Sequence, residues 1–272
     1  MKIHFHKYHG CGNDFVVIDG RDGRLPELSQ ATVARICHRR FGIGADGLMV
    51  LGDAPGYDFS MLYWNADGRP GSMCGNGARC IVAFAHRLGI VRKTYRFLAP
   101  DGLHEAIREA DGTVRLRMSD VGSVEAIGSD HLLDTGSPHY VRFTSDLDTL
   151  DVDREGRAIR HSSRFAREGV NVNFVERLEG GGLFVRTFER GVEAETMSCG
   201  TGVTASALVS AEDGVGRRDI AIRTPGGRLR VDFEAIPGQG FRNIWLVGPA
   251  TFVYTGEVDT EDMHSEDNIS ET

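Results

Sequence analysis

Lysine is scarce in this chain. Only Lys2, Lys7 and Lys93 occur, and none lies in a pocket-like motif. A pyridoxal phosphate enzyme needs a Schiff-base lysine, so chemistry without that cofactor is expected. No CxxC pair exists among the five cysteines, which argues against a zinc knuckle or a thioredoxin-type motif. Their odd number argues against a secreted disulfide framework. No apolar run is long enough to span a bilayer. The start, MKIHFHKYHGCGND, lacks an apolar core with a cleavage site, so no signal peptide is expected and cytoplasm is the default. The net charge of -8 leaves no basic footprint for nucleic acid. Seven acids and no Lys or Arg lie in Glu257–Thr272, which reads as a solvated, frayed tail.

What the chain does contain is a repeat. A shift of 125 positions sets Met73-Cys74-Gly75-Asn76-Gly77 on Ser198-Cys199-Gly200-Thr201-Gly202. The same shift sets Phe59 on Phe184, Gly89 on Gly214, and Phe97–Gly102 on Ile222–Gly227. Each match is weak alone, but their common order and offset are informative. Two copies of one module are expected, with a boundary near residue 120. The fold class is α/β (α+β): two pseudo-symmetric modules, each a mostly antiparallel sheet wrapped round a central helix. The helices are expected at Gly77–Leu88 and Gly202–Asp213, apolar on most faces and therefore buried, with Gly89 and Gly214 as C-cap glycines. Strands are expected at Phe15–Asp19, Leu48–Leu51 and Phe59–Trp64, and another helix at Ser29–Arg40 with Ser29 as N-cap. The charge-rich stretch 155–187, with Gly180-Gly181-Gly182 as its turn, reads as a surface hairpin.

Cys74 and Cys199 each precede a Gly-x-Gly turn that opens a buried helix. A helix N-terminus carries positive partial charge, which favours thiolate. Glycines there let a carboxylate approach the backbone N–H groups. A matched pair of such cysteines suits inversion of a stereocentre beside a carboxylate, with a thiolate removing a proton on one face and a thiol delivering one on the other. Cys80, Cys37 and Cys11 read as structural. Gly42–Gly47 spells GxGxxG but follows a helix and precedes a strand, the reverse of the dinucleotide fingerprint.

MCGNGARC at 73–80, ERG at 189–191 and ETMSCGTG at 195–202 resemble the diaminopimelate epimerase family, as do KYHGCGNDFVV at 7–17, GIGADG at 42–47 and NADG at 65–68. The resemblance implies interconversion of LL- and meso-2,6-diaminopimelate with no pyridoxal phosphate, other cofactor or metal. It also implies two pseudo-symmetric α/β domains and a homodimer. On this basis residues 1–120 with 249–258 form the first module, 121–248 the second, and 259–272 the tail. Cys74 and Cys199 match the catalytic pair, with His139 and Glu189 as residues that tune them. Gly75 and Asn76, with Gly200 and Thr201, match the carboxylate cradle. Asn13, Asn65, Asn171 and Glu189 match substrate contacts, Arg190 the partner of the distal carboxylate, and Tyr254 a dimer contact. Three positions depart from the family pattern. Gly47 stands where glutamine is frequent, Ser137 replaces an asparagine, and Ser198 replaces a common alanine. A related proline or hydroxyproline racemase is the alternative, disfavoured by Arg190 with Asn65 and Asn171. A thiol redox or zinc protein using Cys74, Cys80, Cys199 and His139 is the rival from another class.

Overall fold

Two apolar runs, Phe15–Ile18 and Leu48–Leu51, lack the polar alternation of a half-exposed strand. Strands covered on both faces have this signature. The computed structural model, which describes residues 2–23, 25–211 and 214–259, shows why. The chain divides into two compact units. The first holds the chain up to Gly10, Asp14–Glu105 and the chain from Ala250 on. The second holds Cys11–Asn13 and Ala106–Pro249. The expected tail, 259–272, lies outside the described residues except for Asp259.

The first unit contains β1 (Lys2–Gly10), β2 (Asn13–Asp19, from Asp14), α1 (Gln30–Cys37), β3 (Gly47–Gly52), β4 (Phe59–Asn65), α2 (Gly75–Arg87) and β5 (Tyr95–Ala99). β2 runs parallel to β3, β3 antiparallel to β4, and β4 parallel to β5. The strand Thr251–Asp259 pairs antiparallel with β1. Side chains alternate across the sheet. Val16, Ile18, Leu48 and Val50 pack with Val33 and Ile36 of α1. Phe15 and Met49 approach Gly77 of α2 from the opposite face. Ser29 caps α1 by accepting from the Thr32 N–H at 3.1 Å. The helix ends at Cys37, three residues earlier than expected, because Ile43 and Gly44 donate to the Ile36 carbonyl and turn the chain back.

β6 (Gly102–Arg108) and β7 (Val114–Arg117) lead into the second unit. There follow β8 (Glu125–Ile127), β9 (Asp130–Asp134), β10 (Pro138–Phe143), α3 (Val152–Arg160), β11 (Asn171–Arg177), β12 (Leu183–Glu189), β13 (Ala194–Thr196), α4 (Gly200–Ser210), β14 (Gly216–Thr224), β15 (Gly227–Ile236) and β16 (Gly240–Gly248). Antiparallel pairs predominate, but β10 runs parallel to β11 and β12 to β14. The order β10-α3-β11-β12-α4-β14 thus repeats β2-α1-β3-β4-α2-β5 with the same parallel, antiparallel, parallel pairing. α4 packs against β10, β11, β12, β14, β15 and β16. Only Thr201 and Ser210 on it escape full burial.

The stretch 155–187 is the expected hairpin only in part: β11 and β12 pair antiparallel on either side of the Gly180–Gly182 turn, but both strands are largely buried. The first part of the stretch is α3, and Asn171–Val175 are buried. The turn around Gly180–Gly182 is at the surface, as are several residues between the helix and β11, among them His161, Arg164 and Glu168. α3 is charge-rich, yet it packs on Phe188 through Gly156, where a Cβ would lie 2.4 Å from the Phe188 Cβ. Both central helices begin two residues earlier than expected, at Gly75 and Gly200. Gly89 takes the left-handed conformation of a C-cap glycine at φ 87°. Gly214 is not at the matching place: α4 ends at Ser210 with Ala211 as its C-cap residue.

Candidate functional site

Cys74 and Cys199 occupy the same place in the two units. Each is the N-cap residue of its buried helix, with φ/ψ of -112°/123° and -104°/113°. Their carbonyls accept the first helical hydrogen bonds, from Ala78 at 2.7 Å and Val203 at 2.9 Å. Neither thiol makes a side-chain capping bond. Serine, threonine, aspartate and asparagine are the residues that stabilise an N-cap, so cysteine at both caps forgoes stability. What it gains is a sulfur at the positive end of a helix dipole, where thiolate is favoured. Gly75-Asn76 and Gly200-Thr201 form the first helical turns, whose N–H groups have no partner within the helix itself.

The layers beneath the two helices differ. In the first unit Gly77 of α2 rests over Met49 Sδ and Phe15, at 3.0 and 3.5 Å from a built Cβ, and Phe15 meets Tyr63 edge to face. The corresponding positions in the second unit are polar: His139, Asn173 and Thr187. A Cβ on Gly202 would lie 2.2 Å from Asn173 Oδ1, so glycine is required for α4 to sit on that carboxamide. Thr187 Oγ1 donates to Asn173 Oδ1 at 3.0 Å, and Asn173 Nδ2 donates to His139 Nδ1 at 3.1 Å. An amide nitrogen can only donate, so Nδ1 accepts and the imidazole proton sits on Nε2. That nitrogen lies 3.0 Å from Ser137 Oγ, which in turn lies 3.5 Å from Thr201 Oγ1. Thr201 Oγ1 is 3.5 Å from Cys199 Sγ. His139 is therefore connected to the sulfur through two hydroxyls.

Burial lowers the His139 pKa to about 3; the Asn173 bond opposes this and the Arg190 charge adds to it. The imidazole is neutral at physiological pH. The unfolded histidine binds its proton near 6.5, so the unfolded state takes up the extra proton between that value and about 3. Stability therefore falls as pH drops through this window, at up to about 1.4 kcal/mol per pH unit from this group. His6, also lowered chiefly by burial, acts in the same direction. His139→Gln supplies an acceptor and a donor without a titrating ring. Urea midpoints measured between pH 7 and 4.5 should fall less steeply in that variant than in the parent; parallel slopes would contradict the assignment.

The remaining expected residues fall into two groups. Asn171 is buried, and its carboxamide is occupied within the second unit. Nδ2 donates to Ser137 Oγ and the Pro138 carbonyl, and Oδ1 accepts from the Arg190 N–H at 2.8 Å. It holds the backbone of Arg190, whose exposed side chain donates to the Glu168 carbonyl at 3.0 Å. Glu189, half-buried at the end of β12, accepts from Thr196 Oγ1 at 2.6 Å. Asn13 opens β2, Asn65 ends β4 in an exposed position, and Tyr254 is exposed beside Phe5, with ring centroids 5.8 Å apart. At Gly47 a Cβ would lie 2.6 Å from the Tyr63 ring, so Tyr63 fills the space a longer residue would need.

Cys11, Cys37 and Cys80 are buried. Burial pushes the Cys37 thiol up to about 12, which removes it as a nucleophile at neutral pH. Cys11 adopts φ 52° and lies against Gly226, with its thiol 3.8 Å from the Arg228 carbonyl. Two features escape a reading of the sequence. Asp14 is held at about 2: burial pushes it up, but hydrogen bonds from Arg39 and Lys7 prevail. Arg79, in the first turns of α2, is completely buried. A charge inside the apolar run ARCIVAF is the only signal the sequence gives for it.

A family model described as diaminopimelate epimerase matches this chain twice, over residues 5–125 and 131–253. The diaminopimelate epimerase of Flavobacterium psychrophilum is 44% identical over 255 residues, covering 93% of this chain and 98% of that protein. That of Chlorobaculum tepidum is 45% identical over 258 residues, covering 92% and 98%. Among solved structures, a PhzF-family phenazine biosynthesis protein of Bacillus anthracis superposes with a TM-score of 0.75 at 14% identity, covering 95% of this chain and 99% of that one. A hydroxyproline epimerase of Agrobacterium vitis gives 0.68 at 15%, covering 94% and 92%. Likeness at such identities concerns the fold alone. The doubled pattern, the twin cysteine caps and the identity to two epimerases over nearly the whole chain agree: this chain belongs to the diaminopimelate epimerase family.

Proposed function

We propose that this chain interconverts LL- and meso-2,6-diaminopimelate by a two-base proton transfer between Cys74 and Cys199. The observation that carries this reading is the equivalence of the two sulfurs, each an N-cap on its own buried helix in a repeated topology. One cysteine, as thiolate, takes the proton from the α-carbon. The other, as thiol, returns a proton to the opposite face. The C–H bond that breaks and the one that forms leave the substrate's composition unchanged, and the two sulfurs exchange protonation states. Negative charge grows on the substrate carboxylate as the proton leaves, and first-turn N–H groups at Gly75-Asn76 and Gly200-Thr201 stabilise it. Asn13, Asn65, Asn171 and Glu189 orient the substrate or the residues that touch it. Arg190 takes the distal carboxylate with a two-pronged guanidinium. His139 acts on Cys199 through Ser137 and Thr201. The protein works in the cytoplasm as a homodimer, with exposed Val253 and Tyr254 at the contact.

Solvent deuterium tests the two-base reading. When LL-diaminopimelate is incubated in heavy water and sampled early, the meso product carries one deuteron at the inverted carbon, while recovered LL substrate carries none. One base serving both faces would label the recovered substrate as well, and that result would overturn the proposal.

A further inference from the structure

The turn that carries Arg190 contains a residue its backbone disfavours. Glu193 takes φ 58°, in the left-handed region where a Cβ is crowded. The 125-residue shift sets it on Gly68, which takes φ 78°. The first module thus has glycine at this place, and the second keeps a glutamate. The side chain accounts for the difference. Its Oε1 accepts from the Gly191 N–H at 3.2 Å and closes the turn. The same oxygen lies 3.2 Å from Arg160 Nε, and Oε2 lies 3.1 Å from His161 Nε2. Arg157 Nη2 donates to the Glu193 carbonyl at 2.9 Å. The last turn of α3 and its C-cap residue therefore fasten the turn.

Arg160 and Arg190 are neighbours. A Cβ built on Gly169 would lie 2.6 Å from Arg190 Cδ and 3.0 Å from Arg160 Nε. A carboxylate in this place can neutralise either guanidinium, and in the structure it sits on Arg160, whose side chain is 15% exposed. Arg190 is exposed, and its Nη1 holds a neutral carbonyl, that of Glu168. The distinction matters for binding. A carboxylate tethered three residues away has a high effective concentration and competes with one arriving from solution. We propose that Arg160 is a positioning residue for substrate binding: it commits the Glu193 carboxylate to α3, which leaves Arg190 open to the distal carboxylate of the substrate. The proposal rests on the reading that Arg190 takes that carboxylate.

Arg160→Gln, Glu193→Gln and their combination test it, with KM, kcat and the urea midpoint followed for LL-diaminopimelate. Arg160→Gln frees Glu193 to pair with Arg190. KM should rise about tenfold, as for loss of one charge-assisted hydrogen bond, with kcat within about threefold. Glu193→Gln keeps an acceptor for the Gly191 N–H and removes the competing charge, so KM should stay within about threefold of the parent. The double variant should return to the KM of Glu193→Gln, because Arg160 matters only while Glu193 carries charge. A merely structural role for Arg160 would leave the double variant as weak as Arg160→Gln. That result, or an unchanged KM in Arg160→Gln, overturns the proposal. If Arg160→Gln does not fold, the double variant, neutral on both sides, decides alone. A KM near the parent's supports the proposal and a tenfold rise overturns it. Arg190→Ala checks the premise. If it leaves KM unchanged, the substrate reading of Arg190 falls and takes this proposal with it. If it raises KM while Arg160→Gln does not, the proposal alone is overturned.

Discussion

Cys74→Ala and Cys199→Ala will each lower the rate of stereoinversion by about 100- to 10,000-fold, the contribution of a positioned acid or base to proton transfer. The double variant should be little worse than either single one, because two groups that act as a unit are not additive. Chirality of diaminopimelate sampled over time measures the loss. Hydrogen exchange at one face can survive in a variant that keeps a single thiol, and this separates loss of a base from loss of the site. Serine gives a sharper contrast. A hydroxyl at an N-cap accepts from first-turn N–H groups, so Cys74→Ser should gain about 0.5–1 kcal/mol of stability over Cys74→Ala in urea. It should nevertheless be nearly inactive, since a serine hydroxyl has no acidity near neutral pH. A serine variant with a tenth or more of the parent's turnover would show that proton transfer does not need sulfur here.

Arg190→Lys should lower kcat/KM by about 10- to 100-fold, the range for a lost charge-assisted hydrogen bond. The backbone of Arg190 is fixed by Asn171 Oδ1, and its Nη1 is already bound to the Glu168 carbonyl. A guanidinium can hold that carbonyl and still present a fork to a carboxylate. An ammonium cannot satisfy both in the same geometry. Gly169 makes room for the arginine stem: a Cβ there would lie 2.6 Å from Arg190 Cδ. Most of the loss should appear in KM, because the distal carboxylate lies away from the carbon that reacts. Steady-state kinetics with LL-diaminopimelate measure it, and near-parental values would remove Arg190 from substrate binding.

The parts of the fold legible in the sequence are those governed by local pattern. β2 and β3 announce themselves as unbroken apolar runs because helices cover both faces of the sheet. Ser29 marks the start of α1 because a capping oxygen acts within three residues. The helices after Cys74 and Cys199 stand out as apolar stretches following a glycine turn. α3 was illegible for the opposite reason. DREGRAIR is dominated by charge and has a glycine in its middle, where helix propensity is poor. Asp151 caps the helix locally, but its packing depends on Phe188, distant in sequence, which lies against the space that Gly156 leaves. Gly214 misled by matching Gly89 in the repeat: its helix ends at Ser210, so the matched position no longer caps it.

The sequence by itself determined the doubled module, the family, and the two cysteines, since each is written in short contiguous motifs whose chemistry depends on immediate neighbours. Only the tertiary structure decided what lies under those motifs. It placed His139 two hydroxyls from Cys199, occupied the Asn171 carboxamide, gave Asn173 a structural place under Gly202, and set a buried guanidinium against Asn76 but a threonine at the matching place. The physical reason is range. Capping and periodicity act over a few residues, whereas hydrogen bonding and burial of polar groups depend on which strands and helices the fold brings together.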